Sequence, residues 1–169
     1  MKQEQLLRFK FQKNNQQGLI EASCYGGSLA TVGSKLVAVG KWTYSAYSAG
    51  GLTFPAQGGA VGSFTMVDND GNPCVIPQGA IVTKVYIDPT ISNPTSSGSA
   101  TIAFQIQSAG DLKAATAYTS FTALLDGIPA NTEATAIKLT ADQTLTMVVG
   151  TAALTGGTIN VVVEYEMSL

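Results

Sequence analysis

The chain has 169 residues, of which 45% are hydrophobic and 12% charged, with a net charge of −2 and no histidine. This length suits one domain with a substantial core and is short for two. Without histidine the chain cannot contain a Ser-His-Asp or Cys-His nucleophile, a histidine acid or base, or a histidine-ligated zinc. The composition therefore excludes the commonest catalytic sites, and we expect a protein that is not an enzyme and holds no cofactor.

Charge is distributed unevenly along the chain. The first 41 residues carry six basic and two acidic side chains, whereas the remainder carries three basic and nine acidic ones. An acidic body repels nucleic acid, so we expect no nucleic-acid partner. The basic N-terminal part, in contrast, suits an acidic protein surface that would repel the body.

We predict an N-terminal arm over residues 1–34, followed by one β-sandwich domain over residues 35–169. The segment MKQEQLLRFKFQKNNQQ is interrupted by polar residues throughout, unlike the apolar core of roughly 7–15 residues in a secretory signal. We therefore expect synthesis in a cytoplasm. No later apolar run approaches the ~20 residues of a membrane span, so no membrane partner is expected.

The arm contains the alternating stretch RFKFQK, which suits a strand that adds to the sheet edge of a partner. Its basic and aromatic side chains are the candidate contacts with that partner, namely Arg8, Phe9, Lys10, Phe11 and Lys13. The alternative is that this stretch is the first strand of the sandwich itself.

Beyond Gln17, β-branched and aromatic residues alternate with polar ones in short runs closed by Gly, Pro, Asn or Asp, which predicts strands. In chain order the clear strands are 35–44, 62–67, 80–88, 100–107, 135–140, 144–149 and 159–167, with an eighth near 121–125. Residues 111–121 predict a short helix or an irregular loop. About eight short strands separated by turns predict an all-β fold, an antiparallel β-sandwich of the jelly-roll type.

Turn residues define the expected strand ends. Asp70-Gly71 and Gly156-Gly157 predict tight turns, because glycine tolerates positive φ. Asp88-Pro89 and Asn93-Pro94 should each end a strand, since proline cannot donate to a ladder. In the last strand, period-two alternation assigns four side chains to the core, and these are Ile159, Val161, Val163 and Tyr165.

The glycine-rich stretch SAYSAGGLTFPAQGGAVGSFTM, residues 45–66, lies between two predicted strands. It predicts a crossover on the surface, because so much glycine disfavours regular structure. Its apolar side chains exceed what an exposed loop normally keeps, so we predict contacts with a neighbouring copy at Tyr47, Leu52 and Phe54. A surface loop without a partner is the alternative.

Two stretches resemble ligand-binding motifs but miss the required spacing. In GGSLATVGSK, Ser34 precedes Lys35, where a phosphate loop has Gly-Lys-Ser/Thr. DNDGN lacks the sixth-position glycine and the distant glutamate of an EF-hand. We therefore predict neither a phosphate site nor a metal site, and we expect Cys24 and Cys74 to remain free thiols in a reducing compartment.

Four segments resemble, in the same order, the capsid decoration (cement) proteins of tailed bacteriophages. These are AYSAGGLTFPAQGGAVGSFTM, IPQGAIVTKVYID, GSATIAFQIQSAGDLKAATA and LTADQTLTMVVGTAALTGGTINVVVEYEM. The resemblance implies a virion structural protein that stabilises the outer capsid surface and ties neighbouring capsomers together. It further implies a homotrimer whose partner is the major capsid protein, made in the cytoplasm of the host bacterium.

An alternative function stays open at this point. Jelly rolls also serve as lectin-like domains, so a head-fibre or tail-tip module that binds host-surface glycans would have a similar sequence pattern. Its candidate stacking residues are Trp42, Tyr44 and Tyr47. The competing interpretation of these three rings is that they belong to the core or to a subunit interface.

Overall fold

The computed structural model describes residues 35–49 and 52–168, which form an all-β fold. Within them the strands are β1 Leu36–Thr43, β2 Tyr47–Ala49, β3 Leu52–Phe54, β4 Gly62–Thr65, β5 Val75–Ile76, β6 Ala80–Ser96, β7 Thr101–Gln105, β8 Lys113–Ala117, β9 Leu125–Ala130, β10 Ile137–Lys138, β11 Gln143–Thr144, β12 Thr146–Gly150 and β13 Leu154–Met167. A 3-10 turn at Tyr118–Ser120 follows β8. The predicted arm, residues 1–34, lies outside the described residues, so its boundary and contacts stay predictions.

Two antiparallel sheets build the sandwich. The first has the order β1-β13-β6-β10, with β9 also pairing β6, and the second has the order β4-β12-β7-β8. Counting β1, β4, β6, β7, β8, β9, β12 and β13 as strands one to eight gives the orders 1-8-3-6 and 2-7-4-5. Successive strands alternate between the two sheets, except strands four and five, which are neighbours in the second sheet, and this is the jelly-roll topology. The predicted antiparallel sandwich of jelly-roll type is confirmed.

The core fills the space between the two sheets. Its buried side chains come from both inner faces and from the connecting segments, and the largest include Trp42, Phe104, Phe121, Met66, Leu112, Leu145 and Met147. On β13, Ile159, Val161 and Val163 are fully buried, whereas Val162 between them is half-buried. The predicted inward face of the last strand is therefore confirmed, with Tyr165 packed at the margin of the core.

Strand β6 continues through Pro89 and Pro94, so the prediction that these prolines end strands is wrong. Pairing with β9 stops at Ile87, and beyond that residue β6 pairs with β13 through repeated register shifts. Between Asp88 and Ser92 the ladder is bulged, because this stretch spans more residues than its partner stretch on β13. Proline is tolerated at bulges and on sheet edges, where its missing N–H removes no ladder hydrogen bond.

The predicted turn at Gly156-Gly157 is also wrong, since both residues lie inside β13. Gly157 has φ +123°, and a Cβ there would lie 2.6 Å from the Cα of Pro94. The glycines therefore serve close packing of β13 against the bulged part of β6. At Asp70-Gly71 the turn is confirmed, because Asp68 Oδ1 accepts the backbone N–H groups of Asp70 and Asn72.

Residues 111–121 form β8 and the 3-10 turn where a helix or loop was expected. The cause is a carboxylate: Asp111 accepts the backbone N–H groups of Ile106, Gln107 and Ser108. This turns the chain back so that β8 pairs with β7. The strand expected at 121–125 begins instead at Leu125.

The glycine-rich stretch forms the β2–β3 hairpin, so the expectation that its glycines disfavour regular structure is wrong for this part. Side chains fix the irregular residues that follow to the body. Gln57 Nε2 donates to the Thr65 carbonyl at 2.6 Å, and Trp42 Nε1 donates to the Gly58 carbonyl at 3.1 Å. Gly59 contacts the backbone of Leu154, and a Cβ at Gly59 would lie 2.5 Å from the Leu154 oxygen. Glycine is needed here because two backbones approach closely.

Candidate interaction surface

The outer face of the first sheet carries a row of apolar side chains. Val39, Val162 and Tyr86 are cross-strand partners on β1, β13 and β6, and all three are half-buried. Val37, two residues before Val39 and on the same face, is 58% exposed. We call these four side chains the valine–tyrosine face.

Charged groups border this face. The next row contains Glu164 and Lys84 as cross-strand partners, and Lys35 Nζ lies 3.4 Å from Glu164 Oε2. Lys84 Nζ lies 4.4 Å from the centroid of the Tyr86 ring. An apolar centre with a charged rim is the usual layout of a protein–protein contact.

The apolar surface extends onto β9 and its lead-in. Asp126 is the cross-strand partner of Tyr86, and the exposed Leu124 and Ile128 lie two residues to either side of it in sequence. Leu124 is 61% exposed and Ile128 is 42% exposed. Exposed aliphatic side chains close to one sheet face mark a candidate binding surface.

The outer face of the second sheet differs in chemistry. Its cross-strand row Thr65, Thr146 and Gln105 is hydroxylic or amidic, and Ser63 is exposed. Small polar groups of this kind keep a sheet face solvated. The two outer faces are therefore unequal, and the first is the better candidate for binding a partner.

The β2–β3 hairpin is anchored to the first sheet. Lys41, on β1, is 8% exposed, and its Nζ lies 3.7 Å from the centroid of the Phe54 ring. Burial lowers the pKa of Lys41 below its usual value. Phe54 itself is 2% exposed, so the exposure that the sequence interpretation assumed for this ring is not found. The ring is covered within its own chain because it packs over Lys41.

The other predicted contact residues have different outcomes. The side chains of Tyr47 and Leu52, and all five arm residues, lie outside the described residues, and their contacts stay predictions. Trp42 is fully buried, so it belongs to the core and cannot stack on a glycan. Tyr44 is partly buried against the core. Cys74 is a buried free thiol, whereas Cys24 lies outside the described residues, so the expectation for the two cysteines together stays a prediction.

Neither a metal-ligand cluster nor a membrane helix occurs in the described part of the chain. No three cysteine or carboxylate residues converge as metal ligands there. In residues 35–49 and 52–168, no helix combines the length and the apolar character needed to cross a bilayer.

Fold and surface together define a jelly-roll domain with an apolar outer face on its first sheet. No protein-family model matches the chain, and no curated protein matches it in sequence. Among solved structures, the fold is similar to a chain of the cyanophage Pam1 capsid asymmetric unit, with a TM-score of 0.51, 18% identity, and coverage of 82% of this chain and 89% of that chain. It also matches a chain of the acidic stable capsid structure of Helicobacter pylori bacteriophage KHP30, with a TM-score of 0.49, 12% identity, and coverage of 78% and 86%. At 18% identity, the likeness to the Pam1 chain is one of fold.

Proposed function

We propose that the protein is a non-enzymatic structural component of a bacteriophage virion, which binds the outer surface of the capsid and ties neighbouring capsomers together. The observation that carries this proposal is the shared fold with a chain of the cyanophage Pam1 capsid, which extends over most of both chains. The four sequence segments that resemble decoration proteins support it independently.

Binding alone accounts for such a function. A protein that binds the expanded shell and not its unexpanded or disassembled states shifts the equilibrium toward the expanded shell by mass action. The energy comes from many weak contacts repeated over a symmetric lattice. No catalytic group is required of the domain.

The valine–tyrosine face and the arm would bind the major capsid protein together. The arm joins β1 at Lys35, and Val37 and Val39 follow on the same strand. The cations Arg8, Lys10 and Lys13 would then lie over acidic shell residues while Phe9 and Phe11 fill an apolar groove.

The β2–β3 hairpin would supply the contact between copies in a trimer. Phe54 is buried against Lys41. Of the three predicted contact residues, Tyr47 and Leu52 therefore remain the candidates for contact with a neighbouring copy. Sedimentation equilibrium of the purified protein should give the mass of three chains. A monomer at high concentration, and also on the particle, would rule out this role of the hairpin.

Particle binding tests the proposal directly. Particles produced without this protein are mixed with the purified chain, and the bound amount is measured after co-sedimentation. Val162→Asp places an unpaired charge in the valine–tyrosine face and should weaken binding about tenfold or more. Its matched control is Ser63→Asp on the outer face of the second sheet, which should bind as the wild type does.

Removal of residues 1–17 should leave a folded trimer that binds particles much more weakly. In the full-length chain, charge reversal at Lys10 and Lys13 should weaken particle binding and make the binding that remains less sensitive to salt. Unfolding of the truncated chain would assign the arm to the core instead. Failure of the wild-type protein to sediment with expanded particles would overturn the proposed function.

A further inference from the structure

A groove of about 420 Å³ lies on the first sheet, next to the cross-strand row Lys41, Asn160 and Asp88 on β1, β13 and β6. Its floor is the cross-strand row Thr43, Thr158 and Ser92 on β1, β13 and β6. The remaining lining residues are Tyr44, Ser45, Ala46, Ile91, Thr155, Gly156 and Gly157. None of the ten is charged and six carry a hydroxyl group, which disfavours an ionic ligand.

The hydrogen bonds of the floor are oriented. Thr43 Oγ1 donates its proton to the Ser45 carbonyl at 2.6 Å. Thr43 and Thr158 Oγ1 atoms lie 3.1 Å apart, and Thr158 must be the donor in this pair because the Thr43 proton is already used. Thr158 is 5% exposed, and its hydroxyl keeps a lone pair that can accept a hydrogen bond from a ligand.

The walls of the groove are held in place by backbone contacts. The Tyr44 N–H donates to the Gly157 carbonyl at 2.9 Å, which links the wall that follows β1 to the wall on β13. Gly157 packs closely against Pro94 in the bulged part of β6. Ile91, in the same bulge, is 43% exposed and offers an apolar surface beside the hydroxyl row.

We propose that this groove binds a neutral sugar ring. A sugar hydroxyl would donate to Thr158 Oγ1, and an apolar C–H face of the ring would pack against Tyr44 or Ile91. The volume lies within the range of about 300–1,000 Å³ typical of small-ligand sites. This function goes beyond attachment to a capsid and does not depend on it, since the groove is formed by one chain.

Ligand-observed NMR with the full-length protein tests the proposal. The probes are the methyl glycosides of glucose, galactose, mannose and N-acetylglucosamine, with N-acetylneuraminic acid as a charged comparison. At least one neutral glycoside should bind saturably with a Kd of about 1–10 mM, as expected for a shallow site with few polar contacts. In separate spectra of the isotope-labelled protein, the amide signals of Tyr44, Gly157 and Thr158 should shift on binding.

Thr158→Val keeps the shape of the side chain, removes the acceptor, and should weaken binding about fivefold or more. Tyr44→Ala should also weaken it, whereas Ser63→Ala on the second sheet should leave it unchanged. If Thr158→Val does not fold, Ser92→Ala serves as the second variant of the floor. Absence of binding by all four glycosides, binding of the charged sugar alone, or binding unaffected by these groove variants would overturn the proposal.

Discussion

The Lys41 ammonium lies 3.7 Å from the centroid of the Phe54 ring, with Lys41 8% and Phe54 2% exposed. A desolvated cation–π contact of this kind contributes about 2 kcal/mol. It joins β1 to the β2–β3 hairpin across the outer face of the first sheet. The contact therefore helps to fix the hairpin on the domain.

Phe54→Ala should lower the free energy of unfolding by about 3 kcal/mol, because it removes a buried ring together with its contact with the Lys41 ammonium. Thr53→Ala, at the neighbouring exposed position, is the matched control and should change stability by less than about 0.5 kcal/mol. Urea denaturation measures both. Equal stability of the two variants would show that the ring does not anchor the hairpin.

Adjacent valines on β13 offer a second matched pair. Val163 is fully buried, so Val163→Asp should prevent soluble folding, since an unpaired buried charge costs several kcal/mol, roughly the stability of a domain. Val162→Asp, on the outer face, should fold. Solubility and circular dichroism distinguish the outcomes, and a well-folded Val163→Asp protein would contradict the assigned inward face.

The alternation of β13 was predictable because polar residues mark its outward side. Asn160 and Glu164 occupy outward positions, and apolar residues such as Ile159 occupy the inward ones. The valine–tyrosine face was not predictable. Val39, Val162 and Tyr86 come from strands far apart in the chain, and strand register makes them neighbours. One sequence gives the period of each strand but not its partners.

The same limit explains the errors at the prolines and at Phe54. A proline ends a strand where its missing N–H would break a regular ladder, but Pro89 and Pro94 lie along a bulged stretch, where β6 continues. The sequence alone does not show which strands pair with β6 at these positions. From the sequence, Phe54 was interpreted as an exposed apolar side chain because it lies in a glycine-rich stretch. In the fold it lies against Lys41, a residue that charge alone would place in solvent.

Asp111 organises the β7–β8 connection by accepting three backbone N–H groups. Asp111→Asn replaces an acceptor oxygen with a donor group and should lower the free energy of unfolding by about 2 kcal/mol. Glu133→Gln, at an exposed position, is the control and should have little effect. Amide hydrogen exchange at Gln107 and Ser108 should accelerate in Asp111→Asn alone; unchanged protection there would contradict this role.

Cys74 should make stability fall at alkaline pH. Burial, with a smaller effect of the nearby Asp68 charge, raises the pKa of its thiol from 9.0 to about 11. Between these values the unfolded chain loses the thiol proton and the native chain retains it, so rising pH favours unfolding. The stabilisation is complete below about pH 9 and is lost as pH rises through 11, by up to about 3 kcal/mol.

Cys74→Ala removes the titrating group and should flatten this part of the stability profile. Urea denaturation of both proteins between about pH 8 and pH 11 measures the difference between the two curves. Parallel curves over the whole range would show that the thiol is not protected from ionisation by the fold.

As a repeated component of the capsid surface, the protein should be present in purified virions at high copy number. Quantitative mass spectrometry of purified particles, with isotope-labelled peptides of this chain and of the major capsid protein, tests it most directly. We expect many copies per particle in a fixed, near-integral ratio to the major capsid protein, as a symmetric lattice requires. A handful of copies per particle, or none, would contradict it.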